Sequence, residues 1–216
     1  MTATVTAFPW APPFAQGFVR DLRIRWALEE AGLPYDVELL APGVTDSDGY
    51  RQWQPFGQVP AYRDDEVEIF ESGAILIHLT EKSEALAPKD PAGRARVVTW
   101  IVAGLNSIEP FSVNVAMLDS FYAGQPWVEG YRPVARAILE KRLTSLGKWL
   151  GDKDWLEGRF TAADIIMVTV LRELVACGIL KDFPNLDAYR ARGEARPAFR
   201  KAMDDQLATF RENAPA

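Results

Sequence analysis

One cysteine, Cys177, and one histidine, His78, are all that the 216 residues contain. A lone thiol forms no intrachain disulfide and no Cys-x-x-Cys redox pair. One imidazole excludes the multi-histidine metal sites, and no metal is expected. The chain has no basic run, and its net charge of −6 argues against a nucleic-acid groove or an anionic membrane as partner. No stretch reads as an 18-residue apolar run, and the start, Met-Thr-Ala-Thr-Val-Thr-Ala-Phe-Pro-Trp, lacks the charge and apolar core of a signal peptide. A cytoplasmic location is therefore expected. Repeats and low-complexity tracts are also missing. What is present, 48% hydrophobic and 25% charged residues, can bury the core of one large or two small domains.

Alternation and β-branching over residues 3–8 predict a strand ended by Pro9, followed by a loop rich in proline to Gly17. From Phe18 to Ala31, the rows Phe18, Leu22, Trp26 and Ile24, Leu28, Ala31 predict an amphipathic helix, stopped by Gly32 and Pro34. Tyr35 to Leu40 alternates again, which makes a βαβ unit with a parallel strand pair. Polar residues 42–56 have room for one short helix. Ala61–Arg63 and Val67–Phe70 flank an Asp-Asp-Glu turn and predict a hairpin, entered through Val59-Pro60, where a cis bond is one option. A helix from Ser72 to about Lys82 completes a ββα unit.

Residues 84–90 predict a linker, with domains at 1–83 and 91–216. The second is expected to be all helical: a long helix from Pro91 to about Asp119 kinked at Pro110, another from Tyr131 to Leu150, and a third from Ala162 to Cys177. That third helix carries few charges and reads as the buried centre of a bundle. Thr161 and Asp164 before it form a capping box and are assigned to folding. Pro184 and Pro197 bound two terminal helices.

Gln58 to Leu79 carries the clearest functional signal. An acidic residue and a hydroxyl, Glu71 and Ser72, open a helix behind a Val-Pro hairpin. A helix N-terminus with Ser72 suits a carboxylate, and Glu71 suits an ammonium, so the pair suits a small zwitterion.

Trp26-Ala-Leu-Glu-Glu-Ala-Gly-Leu-Pro-Tyr35, Gly57-Gln-Val-Pro60, Glu71-Ser-Gly-Ala-Ile75 and Phe160-Thr-Ala-Ala-Asp164, in that order, resemble the cytosolic glutathione S-transferases over roughly positions 2–210. The resemblance implies a thioredoxin-like N-terminal domain that binds glutathione, an all-helical C-terminal domain that shapes the second-substrate pocket, and a homodimer. It implies that Val59 pairs with the cysteinyl backbone of glutathione, that Pro60 is the cis-proline, that Glu71 and Ser72 hold the γ-glutamyl group, and that Gln58 lies beside the peptide.

The chain departs from that family pattern at the catalytic position. Such enzymes place a Tyr, Ser or Cys near the first strand or first helix, and residues 7–31 contain none of the three. What remains for stabilising a thiolate is the first helix's N-terminus, with free N–H groups around Gly17 to Arg20, and the candidates Arg20 and Gln16. Trp10 and Phe14 are candidate pocket walls, joined by Asn106, Phe111 and Asn114 from the helical domain. Trp100, Phe121, Tyr122 and Trp127 read equally as pocket lining or bundle core. Arg51 and Trp53 either reach the glycyl carboxylate of glutathione or form a solvated flank. His78 and Cys177 are expected to be structural. The expected activity is conjugation of glutathione to an electrophilic hydrophobic substrate; the alternatives are a glutathione-dependent peroxidase or isomerase, or a non-catalytic interaction or regulatory protein on the same fold.

Overall fold

The computed structural model describes residues 2–215. The chain forms two units, one of residues up to Ala87 together with those from Arg196 onward, the other of Pro88–Ala195.

In the first unit, β1 (Ala3–Ala7), α1 (Asp21–Ala31) and β2 (Tyr35–Leu39) form the βαβ element, with β1 and β2 parallel in the register Val5 to Val37. A short helix, α2 (Asp48–Trp53), precedes the hairpin β3 (Ala61–Arg63) and β4 (Glu68–Phe70), and α3 (Ser72–Lys82) follows it. The sheet order is β2-β1-β3-β4, with β3 antiparallel to both neighbours. This is a thioredoxin-like sheet. Of the predicted rows, Leu22, Ile24, Trp26 and Leu28 are buried, whereas Phe18 is 46% exposed and Ala31 half-buried; Ile75, Leu76 and Leu79 of α3 are buried as well.

The first helix begins at Asp21 rather than Phe18. Gly17 adopts φ 80°, and the amides of Ala15 and Phe18 close turns onto Pro12 and Ala15, so the chain up to residue 18 is turn rather than helix. At the other end Gly32 takes φ 64° and the Leu33 amide reaches the Leu28 carbonyl at 3.0 Å, a Schellman stop.

The second unit is all helical: α4 (Pro91–Ala103), α5 (Glu109–Ser120), α6 (Val128–Leu150), α7 (Ala162–Arg172) and α8 (Pro184–Glu194). Asp90 caps α4 by accepting the Gly93 amide at 2.7 Å. The predicted kink at Pro110 is corrected to a π-helical turn over Gly104–Ile108, in which the Glu109 amide reaches back to the Gly104 carbonyl. Proline has no amide to continue an α-helical ladder, and the wider turn brings the chain to Pro110 as the second residue of a new helix, where none is needed. Gly104 also fits a close approach, since a Cβ there would lie 2.5 Å from Ile166 Cγ2. Pro91–Ser120 is, by length and composition, long and apolar enough to cross a membrane, with mean hydropathy 1.3 over its best window, which corrects the expectation of no such stretch. Its apolar side is occupied within the bundle, where Val97, Ile101, Ile108, Val115 and Leu118 are buried as α4 and α5 pack against α7 and α6.

Between α6 and α7, residues 151–161 lead to the capping box, in which Thr161 and Asp164 exchange hydrogen bonds as the sequence predicts. All of α7 from Ala162 to Leu171 is buried. The helix ends at Arg172 rather than Cys177, because Leu174, Val175 and Gly178 donate to carbonyls three residues back and Gly178 turns left-handed at φ 69°. Cys177 is half-buried in those turns, with its thiol on the Leu174 carbonyl.

The last helix, α9 (Pro197–Glu212), corrects the predicted domain boundary: it belongs to the first unit and packs along α1. Phe199 meets Trp26 edge-on at 4.9 Å, Arg196 pairs with Glu30, and the buried Gln206 donates to Asp21 Oδ1 at 2.7 Å. Burial pushes the Asp21 carboxyl up, against the opposing pull of Arg25 and Gln206.

Candidate functional site

The loop that enters β3 is fixed almost atom by atom. Gln54, just past the end of α2 and buried, accepts the Phe56 amide at 2.7 Å and the Gln58 amide at 3.2 Å through Oε1. Tyr50, one turn earlier and 6% exposed, donates its hydroxyl to the Gln58 carbonyl at 2.7 Å. Thr6, buried on β1, accepts the Ala61 amide at 2.7 Å and lies 3.0 Å from the Tyr50 hydroxyl. Between these holders the Val59–Pro60 peptide is cis.

Val59 is different. Its side chain packs in a cluster with Leu40, Tyr50 and Ala61, yet among the described residues neither its amide nor its carbonyl bonds to protein. Buried backbone groups are nearly always paired. A residue of this kind beside a fixed loop is an edge on which an extended peptide can make both bonds.

A few residues on, Glu71 adopts φ 70° and ψ 118°, a left-handed conformation that costs a non-glycine residue about 1–3 kcal/mol. Glu71 is exposed, while Ser72 directly after it is buried. Ser72, Gly73 and Ala74 occupy the first turn of α3, whose amides have no partner within a helix. Arg23, a buried cation on α1, donates Nη1 to Ser72 Oγ at 3.3 Å. With its oxygen occupied by Arg23, the Ser72 hydroxyl has its own proton to give, and a carboxylate is the natural acceptor. The helix start thus suits a carboxylate, and the exposed Glu71 beside it suits an ammonium.

Behind the hairpin, Asp64 collects five donors. Oδ1 accepts the Glu66 and Val67 amides at 2.9 and 3.0 Å, and Oδ2 lies 2.7 Å from His78 Nε2 and 3.0 Å from both the Tyr62 hydroxyl and Lys82 Nζ. Burial opposes its charge, but the bonds from His78, the Glu66 amide, Lys82 and the Val67 amide win and hold the carboxyl well below its usual range. His78 is thereby structural, as expected. A depressed carboxyl contributes stability that is complete above its unfolded value of ~3.9 and is lost as pH falls through the folded value. Asp64→Asn is expected to lower unfolding free energy by about 2 kcal/mol near neutral pH. The deficit should shrink at about pH 3, where the native carboxylate begins to lose its advantage; urea titrations at the two pH values check both effects.

Gln58, Val59, Pro60, Glu71 and Ser72 all lie in the first unit, where Thr6, Tyr50 and Gln54 hold the loop around Val59 and Arg23 holds Ser72. Tyr50 and Gln54 share a face at an i, i+4 spacing; that was the available signal. Of the predicted thiolate stabilisers, Arg20 is exposed, whereas Gln16 uses its amide nitrogen on the Ala11 carbonyl at 2.9 Å. The amides around the start of α1 are partly used, Phe18 on Ala15, Leu22 on Val19 and Arg23 on Arg20. Phe14 is 58% exposed and Trp10 is half-buried. Arg51 pairs with Asp46 at 2.9 Å, and Trp53 packs against Tyr50 beneath the Arg63 guanidinium, which suits the reading as a flank. In the helical unit, Asn106 donates to the Val102 carbonyl at 3.1 Å, Asn114 to the Tyr131 hydroxyl at 2.9 Å, and Phe111 lies 3.7 Å under the Arg142 guanidinium. Among the described residues no cluster of metal-ligating side chains occurs.

The fold is a thioredoxin-like domain joined in the chain to an all-helical one. Comparison with known proteins agrees. The profile of the glutathione S-transferase N-terminal domain matches residues 16–81. Glutathione S-transferase GstA of Escherichia coli O157:H7 is 31% identical over 185 residues, 82% of this chain and 89% of the relative. Glutathione S-transferase theta-3 of Mus musculus is 32% identical over 177 residues, 76% of this chain and 73% of the relative. Among solved structures, a glutathione transferase of Burkholderia graminis, crystallised with two glutathione molecules per subunit, superposes with a TM-score of 0.81 at 26% identity, covering 94% of this chain and 88% of that one. The chain belongs to the glutathione S-transferase family.

Proposed function

We propose that the protein binds glutathione along the arc from Gln58 to Ser72 and conjugates it to an electrophilic, largely apolar substrate. The observation that carries this reading is Val59, whose amide and carbonyl have no protein partner beside a held cis-proline loop. The cysteinyl residue of glutathione pairs with those two groups. Its γ-glutamyl carboxylate takes the Ser72 proton and the first amides of α3, and its ammonium faces Glu71. Gln58 lies beside the peptide.

With no Tyr, Ser or Cys in residues 7–31, the thiol is ionised by positive potential rather than by a protein hydroxyl. The start of α1 and the Arg20 guanidinium supply it. Gln16 serves the loop, since its amide nitrogen is already committed. The thiol proton leaves to solvent, the sulfur attacks the electrophilic carbon, and the displaced group departs with its electron pair. Trp10 and Phe14 are pocket walls in this reading, and Asn106, Phe111 and Asn114 are the helical unit's candidates. The enzyme acts as a cytoplasmic homodimer.

A second reading is supported by the two glutathione molecules in the Burkholderia graminis relative. Thiolate attack on a mixed disulfide of a second glutathione yields glutathione disulfide and a free thiol, with no protein cysteine required. Peroxidase, isomerase and non-catalytic roles remain behind these two. The test is glutathione-dependent turnover of a chlorodinitrobenzene beside that of hydroxyethyl disulfide. Conjugation with saturation in glutathione supports the first reading, and disulfide reduction alone supports the second. Absence of both, with a folded protein, overturns the enzymatic reading.

A further inference from the structure

Three side chains brace the backbone around Val59, and none of them is a group that the proposed ligand touches. Gln54 holds the Phe56 and Gln58 amides, and the other two, Thr6 and Tyr50, form a chain whose direction follows from proton counting. Tyr50 has one hydroxyl proton, and the 2.7 Å bond to the Gln58 carbonyl takes it. The Tyr50 oxygen is then the acceptor in its 3.0 Å contact with Thr6, and the Thr6 proton goes there in preference to the Ala61 carbonyl, its other acceptor, at 3.5 Å. The Thr6 oxygen in turn accepts the Ala61 amide at 2.7 Å. The result is one directional relay, Ala61 N–H to Thr6 hydroxyl to Tyr50 hydroxyl to Gln58 carbonyl, which grips the loop on both sides of the Val59–Pro60 bond.

We propose that Tyr50 is a positioning residue for the thiol-peptide ligand, its hydroxyl setting the Gln58 carbonyl and thereby presenting the Val59 amide and carbonyl at the spacing a bound peptide requires. The inference rests on the glutathione reading of the site. Geometry separates the hydroxyl's part from the ring's. The ring packs with Leu40, Val59 and Ala61, and meets Trp53 edge-on at 6.3 Å, contacts that phenylalanine would keep. The hydroxyl alone makes the relay. Burial pushes the phenol up, so it stays a proton donor through neutral pH. The helix that carries it, α2, has only six residues and is capped by Ser47, which accepts the Tyr50 amide at 3.2 Å. Tyr50 is thus the point where this short helix is tied to the sheet through Thr6 and to the loop through Gln58. Removing the Tyr50 hydroxyl frees the Gln58 carbonyl, whereas removing the Thr6 hydroxyl takes the donor from the Tyr50 oxygen and the acceptor from the Ala61 amide, so both act through one relay on the same loop.

The test compares wild type with Tyr50→Phe, Thr6→Val, Thr6→Ser and the Tyr50→Phe/Thr6→Val double variant, all kept well below their melting temperatures. Glutathione affinity is measured by calorimetry, and kcat and KM with a chlorodinitrobenzene. Tyr50→Phe and Thr6→Val are each expected to weaken glutathione binding about tenfold while kcat at saturating glutathione stays within about twofold. The double variant should lose no more than either single one, and Thr6→Ser, which restores the hydroxyl, should bind like wild type. A merely structural role would lower the melting temperature without that split. Unchanged affinity in Tyr50→Phe, or losses that add in the double variant, overturns the inference while leaving the glutathione reading intact. No glutathione binding by wild type overturns both.

Discussion

Asp164→Ala is expected to lower the stability of the helical unit by about 3–5 kcal/mol, the largest loss from any single substitution proposed for this chain. A capping-box residue ordinarily contributes about 1 kcal/mol. Asp164 does more because it is fully buried and serves three segments. Its Oδ1 accepts the Leu156 amide at 3.0 Å and the Tyr189 hydroxyl at 2.7 Å, and its Oδ2 accepts the Thr161 amide at 2.8 Å and the Thr161 hydroxyl at 3.1 Å. Truncation leaves those donors without their acceptor, two of them on buried side chains, Thr161 and Tyr189, where water cannot replace it. It also unties the turn before α7 from α8. Thermal and urea unfolding followed by far-UV circular dichroism reads the loss. A drop of about 1 kcal/mol or less would reduce Asp164 to an ordinary cap.

Ser72→Ala is expected to weaken glutathione binding by about 1–3 kcal/mol, a rise in Kd of about 5-fold to 150-fold. Ser72 is only 4% exposed, so a ligand carboxylate bonded to its hydroxyl is shielded from competing water. Arg23 loses an acceptor in the same variant, which costs some stability but moves no ligand group. Calorimetric titration of the folded variant separates the two effects. A Kd equal to that of wild type would remove the hydroxyl from the site and leave a plain helix start.

Much of this was legible from residues alone, and the parts that were not share a cause. The Val-Pro hairpin and the Glu-Ser helix start are local patterns: a proline forbids a ladder bond, and a hydroxyl at a helix start faces unpaired amides. Both are readable without knowing what lies across the sheet. The capping box was equally local. Arg23 was not, because a cation in the first helix reads as solvated until α3 delivers Ser72 to it. Gln16 failed in the opposite way, as a promising amide that the loop itself consumes through Ala11. Likewise α9 shows an amphipathic row, Phe199, Ala202, Gln206 and Phe210, but periodicity says only that one face is buried, not which helix covers it. Its partner is α1, and that moved a domain boundary. The turn at Gly104–Ile108 was missed because Pro110 drew the kink to itself.

The central claim is that glutathione lies on Val59 and the start of α3. The most direct measurement is a titration of the uniformly labelled protein with glutathione, followed through its backbone amide resonances. Saturable shifts at Val59, Ser72 and Gly73 are the predicted result; saturation that leaves these three amides unmoved would contradict it.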